Sequence, residues 1–444
     1  MSKPKGRDSS PSNVLEVLET NRDIHVPLNA GFWRRLFAFS GPAYLVSVGY
    51  MDPGNWATDI EGGSRFHYEL LWVILVSNLI AILLQILSAR LGLVTGKDLP
   101  QLCRDRFSKP AAMSFWVLAE IGIAACDLAE VLGSAIAINL LFGIALLPAV
   151  LITGFDVLLL LALQSKGVRM LEAVIVTLIT TMGICYVIEM VLAHPQFSGV
   201  IHGLVTPKIN NSSIYIALGI LGATVMPHNL YLHSSLVKSR RTGRSFEEIR
   251  SAIKFNTIDT VFALNLAFFV NAAILIMAAS VFFENGLVVT EIQQAYVTLT
   301  PLLGTTLAGT AFAIALLASG QASTITGTLA GQIVMEGFLH IKVKPWLRRM
   351  ITRSLAIVPA VIVIALNTSG GGESQNHAVY QLLLFSQVVL SVQLSFATIP
   401  LVMFTGNSQI MGRFANPLWL KSIAWVAVIT IAGLNAYLLI TQIL

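Results

Sequence analysis

The sequence has few charged residues. Only 11% of its 444 residues are charged and 55% are hydrophobic, whereas about a quarter of the residues of a soluble globular domain are charged. A soluble fold this apolar could not cover its surface with polar side chains. The composition and the mean hydropathy of +0.76 therefore exclude a water-soluble protein and indicate one whose solvent is the lipid bilayer.

Cysteines are also few, and motifs of other protein classes are missing. Cys103, Cys126 and Cys185 form no C-x-x-C pair, so neither a disulfide framework nor a zinc site is expected. No H-E-x-x-H motif or nucleophile–base pair indicates an enzyme. The net charge of +5 does not indicate nucleic-acid binding, because the basic residues form no single patch. No cofactor and no obligatory protein partner is expected.

Long apolar runs, in contrast, are abundant. Runs that can cross the roughly 30 Å of hydrocarbon in a bilayer occur eleven times and predict an all-α polytopic membrane protein. The predicted spans are 39–62, 70–95, 113–142, 145–163, 168–193, 213–237, 258–285, 302–337, 350–366, 379–405 and 417–443. The polar residues 1–38 lack the apolar core of a signal peptide and are interpreted as a largely disordered cytoplasmic tail.

Basic residues are distributed unequally between the loops. If the N-terminus lies inside, the cytoplasmic loops carry almost all of the lysines and arginines, and the opposite loops hold only Arg65 and Lys208. Because cytoplasmic loops are rich in these residues, we predict a cytoplasmic N-terminus and an external C-terminus. This topology fits a bacterial inner membrane.

Two spans contain sequences that interrupt a helix near its centre. Span 1 holds Asp-Pro-Gly-Asn at 52–55, and span 6 holds Met-Pro-His-Asn at 226–229. Pro53 and Pro227 lack an N–H group and clash with the carbonyl one turn back, and Gly54 adds backbone freedom. One proline alone could be a simple kink. Two breaks flanked by polar groups favour unwound segments that line a cavity.

The two breaks lie at corresponding positions of an internal repeat. Spans 1 and 6 run in opposite directions, so 39–193 and 213–405 are predicted to form two inverted five-helix halves, each opening with a broken helix. The span at 417–443 lies outside this 5+5 repeat. In secondary transporters of this layout, the substrate site lies at the repeat interface near the bilayer midplane.

The residues at the breaks suggest a cation site. Asp52 is costly at the centre of an apolar span unless it faces a cavity or a partner. With Asn55 and the carbonyls freed near Gly49 and Ala223, it offers hard oxygen ligands. The Met226 thioether favours later transition metals over magnesium and calcium, although methionine also serves as a packing residue. Together these groups suggest manganese, ferrous iron, cobalt or cadmium.

Three acidic residues of span 3 suggest a proton route. Glu120, Asp127 and Glu130 lie on one helical face, and Arg348 and Arg349 begin span 9. Carboxylates inside a membrane commonly mark proton relays or buried ion pairs. The alternative is a static network of salt bridges that pins span 3 to span 9.

Histidines could connect this face to the break in span 1. The hypothesis is a path from Asp52 through His228 to the carboxylates of span 3, with His233 as a weaker member. His228 could equally be a packing residue. Asp156 and Glu189 are further acidic residues in apolar spans, and the sequence identifies no partner for either.

The two interrupted segments also resemble the paired signatures of the Nramp family of divalent metal transporters. Segments 318–338 and 386–397 resemble the family's Ser/Thr/Gly-rich motif and its tenth-helix motif, so the likeness covers at least 39–405. It implies a LeuT-like fold and import of manganese or ferrous iron by alternating access, with proton symport. One departure is Ser395, where a proline is expected.

The resemblance also implies a set of metal ligands. Asp52, Asn55 and Met226 would hold the metal together with the carbonyls near Gly49 and Ala223. In an occluded state, Gln387 would join them. A sodium-coupled amino-acid transporter of the same fold is the alternative, but there the helix N-termini face a substrate carboxylate, which an ionised aspartate would repel.

Overall fold

The computed structural model describes residues 31, 41–156, 168–239, 245–341, 344–367 and 371–443. Their regular secondary structure is entirely helical. Apart from Gly31, the predicted tail lies outside the described residues, as does the end of predicted span 4.

Nine described helices are long and apolar enough to cross a membrane. In chain order, the bounds are Leu71–Thr95 (span 2), Lys109–Phe142 (span 3), Val168–Ala193 (span 5), Ile214–Thr224 with Pro227–Leu236 (spans 6a and 6b), Phe246–Val281 (span 7), Thr306–Leu339 (span 8), Pro345–Leu366 (span 9), Gly371–Thr405 (span 10) and Leu418–Ile443 (span 11).

The other two predicted spans are also represented. Span 1 is divided into Pro42–Val48 (span 1a) and Pro53–Phe66 (span 1b), and span 4 is described over Leu146–Thr153. Shorter helices connect the spans at Leu99–Arg106, Phe197–Val205, Ile292–Leu303 and Ser408–Met411, with 3₁₀ turns at 49–51, 237–239, 283–285 and 412–414. The prediction of an all-α polytopic protein with breaks in spans 1 and 6 is confirmed.

Spans 7 and 10 begin earlier than hydropathy predicts. Span 7 starts at Phe246 and not at 258, because Ser245 and Glu248 form a capping box: the Ser245 hydroxyl accepts from the Glu248 N–H at 3.3 Å, and the Glu248 carboxylate accepts from the Ser245 N–H at 3.0 Å. Span 10 starts at Gly371 and not at 379. The first turns of both helices are polar, so a search for apolar segments does not include them.

Close helix packing positions the centre of the bundle. Span 3 packs against spans 8, 9 and 10, and span 1b packs against span 7. A Cβ atom on Gly133 would lie 2.2 Å from the ring of Pro53, and one on Gly320 would lie 2.4 Å from the Ser134 hydroxyl. Small residues at these positions let the helix backbones approach and hold the break in span 1 against span 3.

Candidate metal site and acidic network

Asp52 lies at the break in span 1 and caps span 1b. Its backbone is extended (φ −76°, ψ 163°), and its carboxylate accepts from the N–H groups of Gly54 at 3.2 Å and Asn55 at 3.1 Å. These are N–H groups that a helix start leaves without an intrahelical partner. Asp52 is fully buried, and no basic side chain in the described part of the chain forms an ion pair with it. Its charge is therefore fixed in place but not neutralised.

Asn55 links the two breaks. Its amide nitrogen lies 2.7 Å from Asp52 Oδ1, 3.1 Å from the Tyr50 carbonyl oxygen and 3.2 Å from the Ala223 carbonyl oxygen at the end of span 6a. The amide oxygen Oδ1 is buried and accepts no hydrogen bond from any described residue. The two unwound segments thus meet at one amide, whose free oxygen is a possible cation ligand.

Met226 occupies the break in span 6. It precedes Pro227, the first residue of span 6b, and has an extended backbone (φ −75°, ψ 115°). Its side chain is fully buried and packs with Ala125 and Cys126 of span 3 and with Leu390 of span 10. The side chain therefore lies between spans 3 and 10 at the break in span 6.

Gln387 reaches the same place from span 10. A Cβ atom on Gly54 would lie 1.8 Å from the Gln387 amide nitrogen, so only glycine lets this amide lie on the break in span 1. Its nitrogen donates to the Ser386 hydroxyl at 3.0 Å, and its oxygen is buried with no partner among the residues described. Ser395, at the position where proline was expected, lies 3.3 Å from the Asn435 amide nitrogen of span 11.

Two further amides lie beside the break in span 1 and were not predicted from the sequence. A Cβ atom on Gly49 would lie 2.3 Å from the Asn229 amide nitrogen, and the Asn271 amide donates to the Tyr50 carbonyl at 2.9 Å. Neither amide oxygen has a described partner. Asn229 ends the Met-Pro-His-Asn segment and could have been included, whereas Asn271 lies in an unbroken span and gives no local signal.

The donor set around Asp52 is unusual for a resident metal. In the part of the chain that the structure describes, no group of three or more His, Cys, Asp or Glu side chains could hold a metal ion. The groups near Asp52 are instead amide oxygens, backbone carbonyls and one thioether. Such a mixture suits a cation that must bind and leave, with one carboxylate supplying the charge.

The acidic face of span 3 lies against the arginines of span 9. Arg348 Nη2 lies 2.9 Å from the Glu120 carboxylate, and Arg349 Nη1 lies 2.5 Å from Asp127 Oδ1. The second pair is fully buried, while the Glu120 side chain is 22% exposed. The structure therefore brings together the two groups of residues from which the sequence suggested a proton route.

Glu130 follows Asp127 by three residues on span 3. Its Oε2 atom is 3.7 Å from Arg349 and 3.9 Å from Arg353, and its Oε1 atom accepts from the Ser323 hydroxyl of span 8 at 2.9 Å. Arg353 also pairs closely with Asp156, which gives Asp156 the partner that the sequence did not identify. The network thus connects spans 3, 4, 8 and 9.

A cysteine connects this network to the break in span 6. His228 Nε2 lies 3.9 Å from Cys126 Sγ, which lies 3.5 Å from Glu130 Oε1. A role for Cys126 was not predicted from the sequence, although its spacing of four residues from Glu130 places both on one helical face. These two contacts join His228 to Glu130.

His233 belongs to a different chain of polar groups. Its Nδ1 atom lies 2.9 Å from Gln85 Oε1, and the Gln85 amide donates to the Tyr50 hydroxyl at 2.7 Å. These contacts lead from span 6b to the break in span 1 and do not reach the carboxylates of span 3.

Comparison with known proteins agrees with this architecture. Residues 43–441 match the Nramp family, described as natural resistance-associated macrophage protein-like. The divalent metal cation transporter MntH of Nostoc sp. is 56% identical over 437 residues, covering 98% of this chain and 97% of that protein. MntH of Listeria monocytogenes is 54% identical over 431 residues, covering 96% and 95%.

Solved structures give the same result. The Eremococcus coleocola manganese transporter, in complex with an aromatic bis-isothiourea substituted compound, is 41% identical with a TM-score of 0.88, covering 94% of this chain and 88% of that one. Mhp1, a nucleobase-cation-symport-1 family transporter, has a TM-score of 0.60 at 14% identity, covering 89% and 91%, and supports the fold alone. The chain is a multi-pass membrane protein with a LeuT-like fold, and it belongs to the Nramp family.

Proposed function

We propose that this protein imports divalent transition-metal ions, manganese or ferrous iron and also cadmium and cobalt, into the cytoplasm by alternating access, with proton symport. The observation that carries the proposal is the fully buried carboxylate of Asp52 at the meeting point of two helix breaks, which has no ion-pair partner among the described residues. A charge in that position is costly unless a cation compensates it. A transported dication is that compensation.

The proposed ligands are those that the breaks place around the carboxylate. Asn55 and Gln387 contribute amide oxygens that have no hydrogen-bond partner among the described residues. Carbonyls of the unwound segments near Gly49 and Ala223 complete the oxygen set. The Met226 thioether adds the soft ligand that favours manganese or iron over calcium and magnesium. The related proteins named as divalent metal cation and manganese transporters support this substrate class.

The proton is proposed to leave toward the cytoplasm through span 3. The contacts from His228 through Cys126 to Glu130 and then Asp127 form a continuous series that ends at arginines. A static network of salt bridges would show the same contacts, so only proton movement separates the two interpretations. The loop charges support a cytoplasmic N-terminus, which fits a bacterial inner membrane. Residues 39–193 and 213–405 are proposed to be the two halves that move against each other.

Simultaneous flux measurements test the proposal. The full chain is reconstituted in liposomes with an internal pH dye, and manganese, calcium or an amino acid is added outside. We expect manganese to enter and to acidify the interior, and calcium and amino acids to do neither. Equal entry of calcium would contradict the metal assignment. Manganese entry without acidification would contradict proton symport but not the metal assignment.

A further inference from the structure

One asparagine connects span 11 to the part of span 10 that carries Gln387. Asn435 is 5% exposed, and it is the only buried polar side chain among those that the structure describes in span 11. The outer side of the same helix is apolar, with Trp419, Val426 and Ile429 exposed by 65%, 64% and 65%. A buried amide in such a helix is costly unless it hydrogen bonds to the protein.

The Asn435 amide forms its hydrogen bonds with span 10. Its nitrogen donates to the Ser391 carbonyl oxygen at 2.6 Å and to the Ser395 hydroxyl at 3.3 Å, and its oxygen accepts from the Ser391 hydroxyl at 2.5 Å. In an α-helix, the carbonyl of one residue accepts from the N–H group four residues on. Asn435 therefore contacts both ends of one helical turn, from Ser391 to Ser395.

This turn includes the position at which proline was expected. A proline at 395 would have no N–H group and would leave the carbonyl of residue 391 without its helical partner. In this chain Ser395 has an N–H group, and Asn435 bonds to the same carbonyl from span 11. The sequence difference and the asparagine contact thus concern the same backbone group.

The preceding turn of span 10 carries Gln387. Gln387, Ser391 and Ser395 are spaced by four residues, which places them on one stripe of the helix. A Cβ atom on Gly222 of span 6a would lie 2.5 Å from the Ser391 Cβ atom and 3.3 Å from the Gln387 carbonyl oxygen. Contacts with spans 6a and 11 therefore fix the depth and rotation of this turn, and with them the place of the Gln387 amide on the break in span 1.

We propose that Asn435 is a positioning residue for Gln387, so that span 11 takes part in metal transport although it lies outside the 5+5 repeat. The inference rests on the proposed function, in which Gln387 joins the metal ligands in the occluded state. Asn435 holds the turn from Ser391 to Ser395 in place, and the Gln387 amide one turn earlier reaches the metal. The other ligands, Asp52 among them, lie on other spans and do not depend on this contact.

The test separates metal binding from metal transport. Asn435→Leu keeps nearly the same volume and removes the hydrogen bonds to span 10, and the full chain is reconstituted in liposomes for manganese uptake. Because Asp52, Asn55 and Met226 stay in place, we expect the KM, and the manganese Kd from calorimetric titration, to stay within about twofold. The kcat of uptake should fall about tenfold, because a displaced amide no longer completes the occluded site.

A double-mutant cycle tests whether Asn435 acts through Gln387. Gln387→Ala alone should lower kcat. Adding Asn435→Leu to it should lower kcat by less than about twofold more, because the group that Asn435 positions is already absent. The same fall on adding Asn435→Leu to either background would show that Asn435 acts independently of Gln387 and would overturn the inference.

Asn416→Leu is the matched control. Asn416 is also a buried asparagine in contact with span 10, with its amide nitrogen 3.0 Å from the Thr405 hydroxyl. Thr405 follows Gln387 by 18 residues, which is about 27 Å along a helix, so we expect kcat of Asn416→Leu to stay within about twofold. An equal loss of kcat in both asparagine variants would indicate a general loosening of span 10 and would overturn the inference.

A milder variant covers a failure to fold. Should Asn435→Leu not elute as a folded protein, Ser391→Ala, which removes only the hydroxyl bonded to Asn435, is measured in the same cycle. We expect kcat to fall about threefold when Gln387 is present and to stay unchanged in Gln387→Ala, and an equal fall in both would overturn the inference.

The cycle also distinguishes the inference from the proposed function. If Gln387→Ala lowered kcat while folded Asn435→Leu did not, the positioning role would fail and the proposed ligand set would stand. If Gln387→Ala left kcat unchanged, Gln387 would no longer belong to the proposed ligands, and the inference would fail with it.

Discussion

Two acidic regions of the membrane interior, at Asp52 and at Asp127, differ in what faces the carboxylate. Asp52 accepts only N–H groups of its own helix start and an asparagine amide, with no ion-pair partner in the described part of the chain. Asp127 lies 2.5 Å from Arg349. Both carboxylates are fully buried, yet only one is neutralised by the protein itself.

This difference indicates what each region can do. A cation stabilises a buried carboxylate most when that carboxylate has no ion-pair partner in the protein, because folding has already removed it from water. A carboxylate that already has an arginine gains little from a metal. The comparison therefore supports the proposal that the metal binds at the breaks and that the paired carboxylates of span 3 have a different role.

Removing the charge at the break should have the largest effect. Asparagine caps helices as well as aspartate does. Asp52→Asn therefore removes the charge and keeps the N-cap of span 1b. We expect manganese affinity to fall about 100-fold or more, as measured by calorimetric titration of the purified protein. The control is Asp105→Asn, which removes an exposed carboxylate paired with Lys97 at 2.7 Å. Affinity like that of the unmodified chain in Asp52→Asn would refute the site.

Removing the charge in span 3 should affect protons and not the metal. In Asp127→Asn, the arginine loses its carboxylate, so we expect manganese binding to persist and acidification per manganese to fall about tenfold. Asp105→Asn is the control, because it removes an exposed carboxylate, paired with Lys97 at 2.7 Å, that lies outside the proposed route. Unchanged proton flux in Asp127→Asn with intact manganese uptake would leave the network a purely structural role.

The sequence was sufficient to predict features that depend on local chemistry. Pro53, Gly54 and Pro227 interrupt helices through effects on the backbone within one helical turn. Both breaks could therefore be predicted from the local sequence. Hydropathy located the spans, although it missed the polar first turns of spans 7 and 10.

Features that depend on contacts between distant helices could not be predicted in the same way. Asn271 reaches the Tyr50 carbonyl from an unbroken span, and Arg353 pairs with Asp156 across two spans. Each contact depends on the rotation and depth of two helices relative to each other, and neither property is encoded within one turn. His233 illustrates the same point, because the partner it contacts is Gln85 of span 2.

The smallest expected effect concerns the Met226 sulfur, the soft ligand of the proposed metal site. Met226→Ala should retain manganese uptake, because the carboxylate and the amides remain, but calcium and magnesium should compete about tenfold better, since neither ion gains much from a thioether. The readout is inhibition of manganese uptake by each competing ion. Met226→Leu separates sulfur from packing, because leucine fills nearly the same volume between Cys126 and Leu390. If the leucine variant keeps normal selectivity while the alanine variant loses it, the side chain acts by filling space. If both lose it, the sulfur itself is the ligand that distinguishes this pocket from one built of oxygen alone.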